Sequence, residues 1–199
     1  MKKSSILILI IICLVGCKKG SNETTITGEI KGLGTDTLYL YGMDELYDRI
    51  DTIYVENDKF SYTTSVDTIT SAYLLLKNRI EYPVFLDKGN KIKIKGDTIN
   101  LNFLTISGNI YNEEFTDFQK ALEDPADPSE KAGEETVDKR ITVEKANTAE
   151  EMAEEFILQH HSSYVSLYLL DKYFVQKETP DFSKIKKLVE VMTGVLQDK

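Results

Sequence analysis

In the segment KIKIKG, Ile92 and Ile94 alternate with Lys91, Lys93 and Lys95. Strict alternation puts the apolar residues on one side of a pleated strand and the charges on the other. The segment therefore predicts a half-buried strand, and its lysines suit a sheet edge, which they would protect from mispairing. The same period of two runs across residues 25–107. TITGEIKG alternates before Gly-Leu-Gly turns the chain, and DTLYLYGM puts Leu38 and Leu40 on one face and Tyr39 and Tyr41 on the other. RIDTIYVENDKFSYTTSV reads as two strands joined at Glu56-Asn57-Asp58-Lys59, a hairpin turn signal. SAYLLLKN and EYPVFLDKGN continue the series, and NLNFLTISG closes it. Short strands at this spacing, with no long helical stretch between them, predict an antiparallel β-sandwich or barrel.

The period changes near Gly108. Ile110, Phe115, Phe118 and Leu122 recur at helical spacing. PADPSEKAGEE reads as a loop, Thr148 as the cap of a helix with Met152, Phe156 and Ile157 on its stripe, and Ser162 or Ser163 as the cap of the next. Pro180-Asp181 opens a last helix with Phe182, Ile185, Leu188, Val189, Met192 and Val195 in phase. That stripe must bury itself, against the preceding helices or against a further domain. Strands followed by helices define an α+β class rather than βαβ alternation. The expected division is 1–16 signal peptide, 17–24 tether, 25–107 β-sandwich domain and 108–199 helical region.

The first residues read as an export signal. Lys2 and Lys3 precede an apolar run that is too short for a bilayer span of about 20 residues. Leu14-Val15-Gly16-Cys17 matches the bacterial lipobox, whose cysteine thiol takes a diacylglycerol. Cys17 is thus the expected lipid attachment point, and the membrane, through that lipid, the expected partner. The tether lacks the acidic run that follows the lipidated cysteine of some surface-exported lipoproteins, which favours a periplasm-facing position in the cell envelope. Cys13 is the only other cysteine and leaves with the signal, so a Cys-x-x-Cys redox centre, a thiolate nucleophile and a Cys-rich zinc site are excluded from these residues. The net charge of −9 argues against nucleic-acid binding, which needs a basic surface.

No constellation points to catalysis, a metal or another cofactor. His160 and His161 are the only histidines, and neighbours on a helix point about 100° apart. Neither has a carboxylate three or four residues away, and the place expected of them is a helix C-terminus, where a cation suits the dipole. Glu150, Glu151, Glu154 and Glu155 lie on one helix face and its N-terminal turn and read as a solvated face. Tyr39, Tyr41, Tyr54 and Tyr62 lie in strands, where tyrosine packs well and can also line a binding patch. Asp-Thr followed by Leu or Ile occurs at Asp36, Asp51, Asp67 and Asp97. The motif is similar to a general O-glycosylation sequon of exported proteins in some Gram-negative bacteria, with Thr37, Thr52, Thr68 and Thr98 as acceptors. Turn chemistry explains the same pairs, since Asp ends a turn and a β-branched Thr starts a strand.

TITGEIKGLGTDTLYLY, VENDKFSYTTSV, SAYLLLKN, PVFLDKGNKIKIKGD and ISGNIYNEEFTDFQK follow one another as in the N-terminal domain of unknown function that precedes thioredoxin-like domains in bacterial lipoproteins. EEFILQHHSSYVSLYLLDKYF is similar to the helical linker of those proteins. The resemblance implies a membrane-anchored, periplasm-facing module. Thiol-disulfide reductase activity does not transfer, because the Trp-Cys-x-x-Cys of that family is missing: the chain has no tryptophan and no cysteine after Cys17. The leading expectation is a non-catalytic binding or docking module with a protein partner or client in the periplasm. The alternatives are a small-molecule or glycan carrier using the β-domain, a truncated reductase whose thioredoxin domain is missing, and a hydrolase using scattered carboxylates.

Overall fold

A computed structural model of the chain describes residues 22–43, 45–123, 148–192 and 196. Eight strands come first: β1 (Glu23–Lys31), β2 (Asp36–Gly42), β3 (Ile50–Val55), β4 (Lys59–Ser65), β5 (Thr70–Leu75), β6 (Glu81–Leu86), β7 (Lys91–Asp97) and β8 (Thr105–Ser107). The helices α1 (Ile110–Glu123), α2 (Ala149–Gln159), α3 (Tyr164–Leu170) and α4 (Phe182–Val191) follow, with a π-helical turn at Asp171–Val175. The class is α+β, as expected.

The strands form two four-stranded sheets, in the orders β4-β1-β7-β8 and β3-β2-β5-β6. The arrangement is a sandwich whose sheets do not close into a barrel. Alternation decides its inner faces. Ile26, Ile30, Ile92, Ile94 and Ile106 of the first sheet meet Leu38, Leu40, Ile53, Leu74 and Val84 of the second, all essentially inaccessible to solvent. Gly28 leaves room for the Phe60 ring opposite it, because a Cβ there would come within 2.1 Å of that ring. The Gly-Leu-Gly turn forms as read, with Gly32 and Gly34 at φ of 78° and 71°.

Two local expectations are corrected. The lysine-bearing β7 is an interior strand, antiparallel to β8 and parallel to β1 with Ile26 opposite Ile92. Alternation shows which face is wet, but an edge and an interior strand alternate alike. The Asn57-Asp58 turn forms, with φ of 50° and 68° and reciprocal Glu56–Lys59 backbone bonds of 2.9 and 3.1 Å. Beyond that bridge β3 and β4 part into different sheets, because each finds its partner in β2 or β1. At their far ends Arg49 donates to Asp51 on β3 at 3.1 Å and to the Ser65 carbonyl on β4 at 3.0 Å, and the Tyr47 hydroxyl bonds Asp51 and Thr64.

The opposite side of the sandwich, between edge strands β6 and β8, is closed by α1. The Asn112 amide accepts from Phe85 N–H at 3.0 Å and donates to Phe85 C=O at 2.8 Å, as a neighbouring strand would. One turn later the Thr116 hydroxyl accepts from Ile106 N–H and donates to Ile106 C=O, both at 3.0 Å. The Tyr82 hydroxyl spans the same gap, donating to Leu104 C=O at 2.7 Å and accepting its N–H at 3.1 Å. Phe115, between the two polar residues, packs edge-on against Tyr82, Phe85 and Tyr168. The buried line of α1 is therefore Asn112, Phe115, Thr116 and Phe118. Ile110, expected on the stripe, is 61% exposed.

Thr148 caps α2 in a reciprocal capping box with Glu151, and Ser163, not Ser162, caps α3. Asp181 caps α4, whose Leu188 and Met192 are buried together with Leu196. Phe182 departs from that stripe and is 77% exposed. Strands and helices share one continuous hydrophobic core, and the change from strand to helix falls between Ser107 and Ile110.

Candidate functional site

Cys17, the PADPSEKAGEE segment and Val195 lie outside the described residues. Among the four sequon threonines, Thr52 on β3 and Thr68 between β4 and β5 are exposed, whereas Thr37 and Thr98 are half-buried. Of the strand tyrosines, Tyr41 and Tyr54 each line an open surface cleft, Tyr39 points outward, and aliphatic side chains fill the space between the sheets.

The acidic cluster of α2 is not simply a solvated face. Glu150 and Glu154 hold the following segments against α2. Lys177 bonds Glu150, and Lys184 of α4 lies 2.6 Å from Glu154 and 3.7 Å from Glu150. The hydrogen bond from Lys177, with lesser help from Lys184, holds the Glu150 carboxyl below its ordinary 4.5. A depressed carboxyl contributes stability above its unfolded pKa and loses it as pH falls through the folded value. Wild type should therefore lose more thermal stability than Glu150→Gln between pH 5 and 3, by no more than ~1 kcal/mol because the partners are partly exposed. Equal losses in parallel melts would refute this role.

His160 ends α2 as expected, but tertiary structure supplies the carboxylate its own helix lacks. Its Nδ1 lies 3.4 Å from Glu114 Oε1 of α1, and its ring stacks on Phe156 at 4.2 Å. Ser163 donates to the other Glu114 oxygen. Serine, histidine and glutamate thus meet, in an order that activates no nucleophile: the hydroxyl is held by the carboxylate, not by the imidazole, and it also caps α3 through Val165 N–H. No local motif announced this meeting, since Glu114 and Ser163 are far apart in sequence. Only the helical phase of α1 and α2 hinted at a shared seam.

Beside this cluster α1 and α2 leave a cleft of about 440 Å³. Phe118, Phe156 and Met152 form its apolar wall, and Glu114, Asp117 and Glu155 stand around it. Phe118 meets Phe156 edge-on at 5.6 Å. Among the described residues no three metal-ligating side chains cluster, and no helix is long and apolar enough to cross a membrane.

The described residues thus form a two-sheet sandwich sealed along one side by a helix, with further helices beyond it. Residues 24–115 match the family model described as a domain of unknown function, DUF4369, so this part of the chain is similar to that domain, as its sequence suggested. The match runs from β1 into α1 and includes both Asn112 and Phe115. No curated protein matches the chain.

Proposed function

We propose that the chain is an exported lipoprotein, anchored in the cell envelope through Cys17, and that its folded part is a non-catalytic binding module facing the periplasm. The observation that carries this reading is the lipobox at Cys17 placed just before β1. β1 is paired on both sides, by β4 and β7, so a tether leaving its start is attached to the middle of a sheet. The polar groups that meet in the fold close edges, cap helices and join sheets, which supports binding over turnover.

Bacteria expressing the chain and fed an alkyne fatty acid should label it, and detergent phase partitioning should retain it. Cys17→Ser should abolish the label and release the protein from the membrane fraction. Unchanged labelling of Cys17→Ser would sink the lipoprotein reading.

The exposed Phe182 favours a second reading, in which the chain is the front part of a thioredoxin-type lipoprotein whose further domain covers α4. The intact mass of native protein from the membrane fraction separates the two readings. A mass larger by about 100–150 residues supports the second, and the mass of residues 17–199 plus lipid supports the first. Hexose-type increments would report glycosylation, and their exposure makes Thr52 and Thr68 the expected carriers.

A further inference from the structure

We infer that the cleft between α1 and α2 is a binding site for a small organic cation, an ammonium group carried on an apolar body. The inference stands independently of the lipid anchor. The volume, about 440 Å³, falls within the range of small-ligand sites, roughly 300–1,000 Å³. The apolar wall of Phe118, Phe156 and Met152 would cover the body of such a ligand, and the aromatic faces attract a cation by their quadrupole.

The charges select the sign. Glu114, Asp117 and Glu155 line the cleft together with His160, and no lysine or arginine does so among the described residues. Lys120 pairs with Asp117 at 2.8 Å from outside the lining. Gln159 donates to Glu155 at 3.0 Å, which orients that carboxylate without neutralising it. Glu114 is the best fixed of the three, held by the buried Ser163 and by His160 stacked on Phe156. A carboxylate already oriented by its neighbours binds a cation with little further ordering. An anion would meet Glu155, which no lysine or arginine offsets among the described residues, beside Asp117 paired with Lys120 and Glu114 held by Ser163 and His160.

The experiment uses the full chain in detergent, labelled with 13C-methyl methionine. Of the four methionines, Met152 lies in the cleft, Met43 follows β2, Met192 ends α4 and Met1 lies outside the described residues, so one resonance reports the site and the others serve as controls. Phenethylamine is the probe, with phenethyl alcohol and phenylacetate as its neutral and anionic counterparts. Saturable movement of the Met152 methyl is expected with a roughly millimolar Kd, reasonable for so small a ligand. Phenethyl alcohol should bind about tenfold more weakly, and phenylacetate should leave the resonance in place. The double variant Asp117→Asn, Glu155→Gln keeps Glu114 and its buried partners and should weaken phenethylamine at least fivefold. The proposal is overturned if Met152 does not move, if amine and alcohol bind alike, if all methionines shift together, or if the double variant binds as tightly as wild type.

Discussion

Replacing Phe115 by alanine is expected to destabilise the fold by about 3–5 kcal/mol, the range for removing a buried aromatic ring. Phe115 is 2% exposed, and its ring meets Tyr82 and Phe85 of β6, Phe118 of its own helix and Tyr168 of α3. The cavity would open where sandwich and helical layer join, and few side chains there could move in to fill it. A domain of this size has only about 5–15 kcal/mol in total, so the variant should unfold at much lower urea. Circular dichroism and tyrosine fluorescence report the transition, since the chain has no tryptophan. A loss below about 1 kcal/mol would mean that α1 does not hold the two layers together.

The second large effect is expected at Asn112. Asn112→Leu puts an apolar side chain of similar size in its place in α1 but leaves Phe85 N–H buried without its acceptor. An unsatisfied buried donor costs about 1–3 kcal/mol. With the lost bond to Phe85 C=O, which Asn109 still serves at 2.8 Å, the expected total is roughly 2–3 kcal/mol. Thr116→Val, nearly isosteric, removes the equivalent pair on Ile106 and should cost about 1–2 kcal/mol. Hydrogen exchange separates the two: Asn112→Leu should release Phe85 N–H, and Thr116→Val should release Ile106 N–H. Protection unchanged at both sites would show that the helix merely lies beside the edges. An uncovered strand edge also invites pairing between chains, so both variants should aggregate more readily than wild type.

These two residues show why the candidate site was less legible than the fold. Asn112 and Thr116 are polar, and a hydrophobic stripe drawn through α1 passes over them and takes in Ile110 instead. Their burial makes sense only once two strand edges with unpaired backbone groups stand opposite. Glu114 and His160 are a similar case: nothing in either local sequence refers to the other, and they meet because α1 and α2 pack side by side. Strand positions, caps and turns were readable because each depends on residues within a few positions. Thr148 and Glu151, Asp181 at the start of α4, and Asn57-Asp58 are local chemistry.

The amino-acid sequence alone determined the α+β class, the inner faces of the strands and the helix caps, because alternation and capping act over short separations. It also carried the lipobox, which is a linear signal. Tertiary structure alone decided that β7 lies inside its sheet beside a parallel β1, that β3 and β4 part after their turn, and that a helix substitutes for the missing strand between β6 and β8. Those outcomes depend on which backbone edges remain unpaired after the core has formed. That competition among distant strands leaves no periodic mark on the sequence.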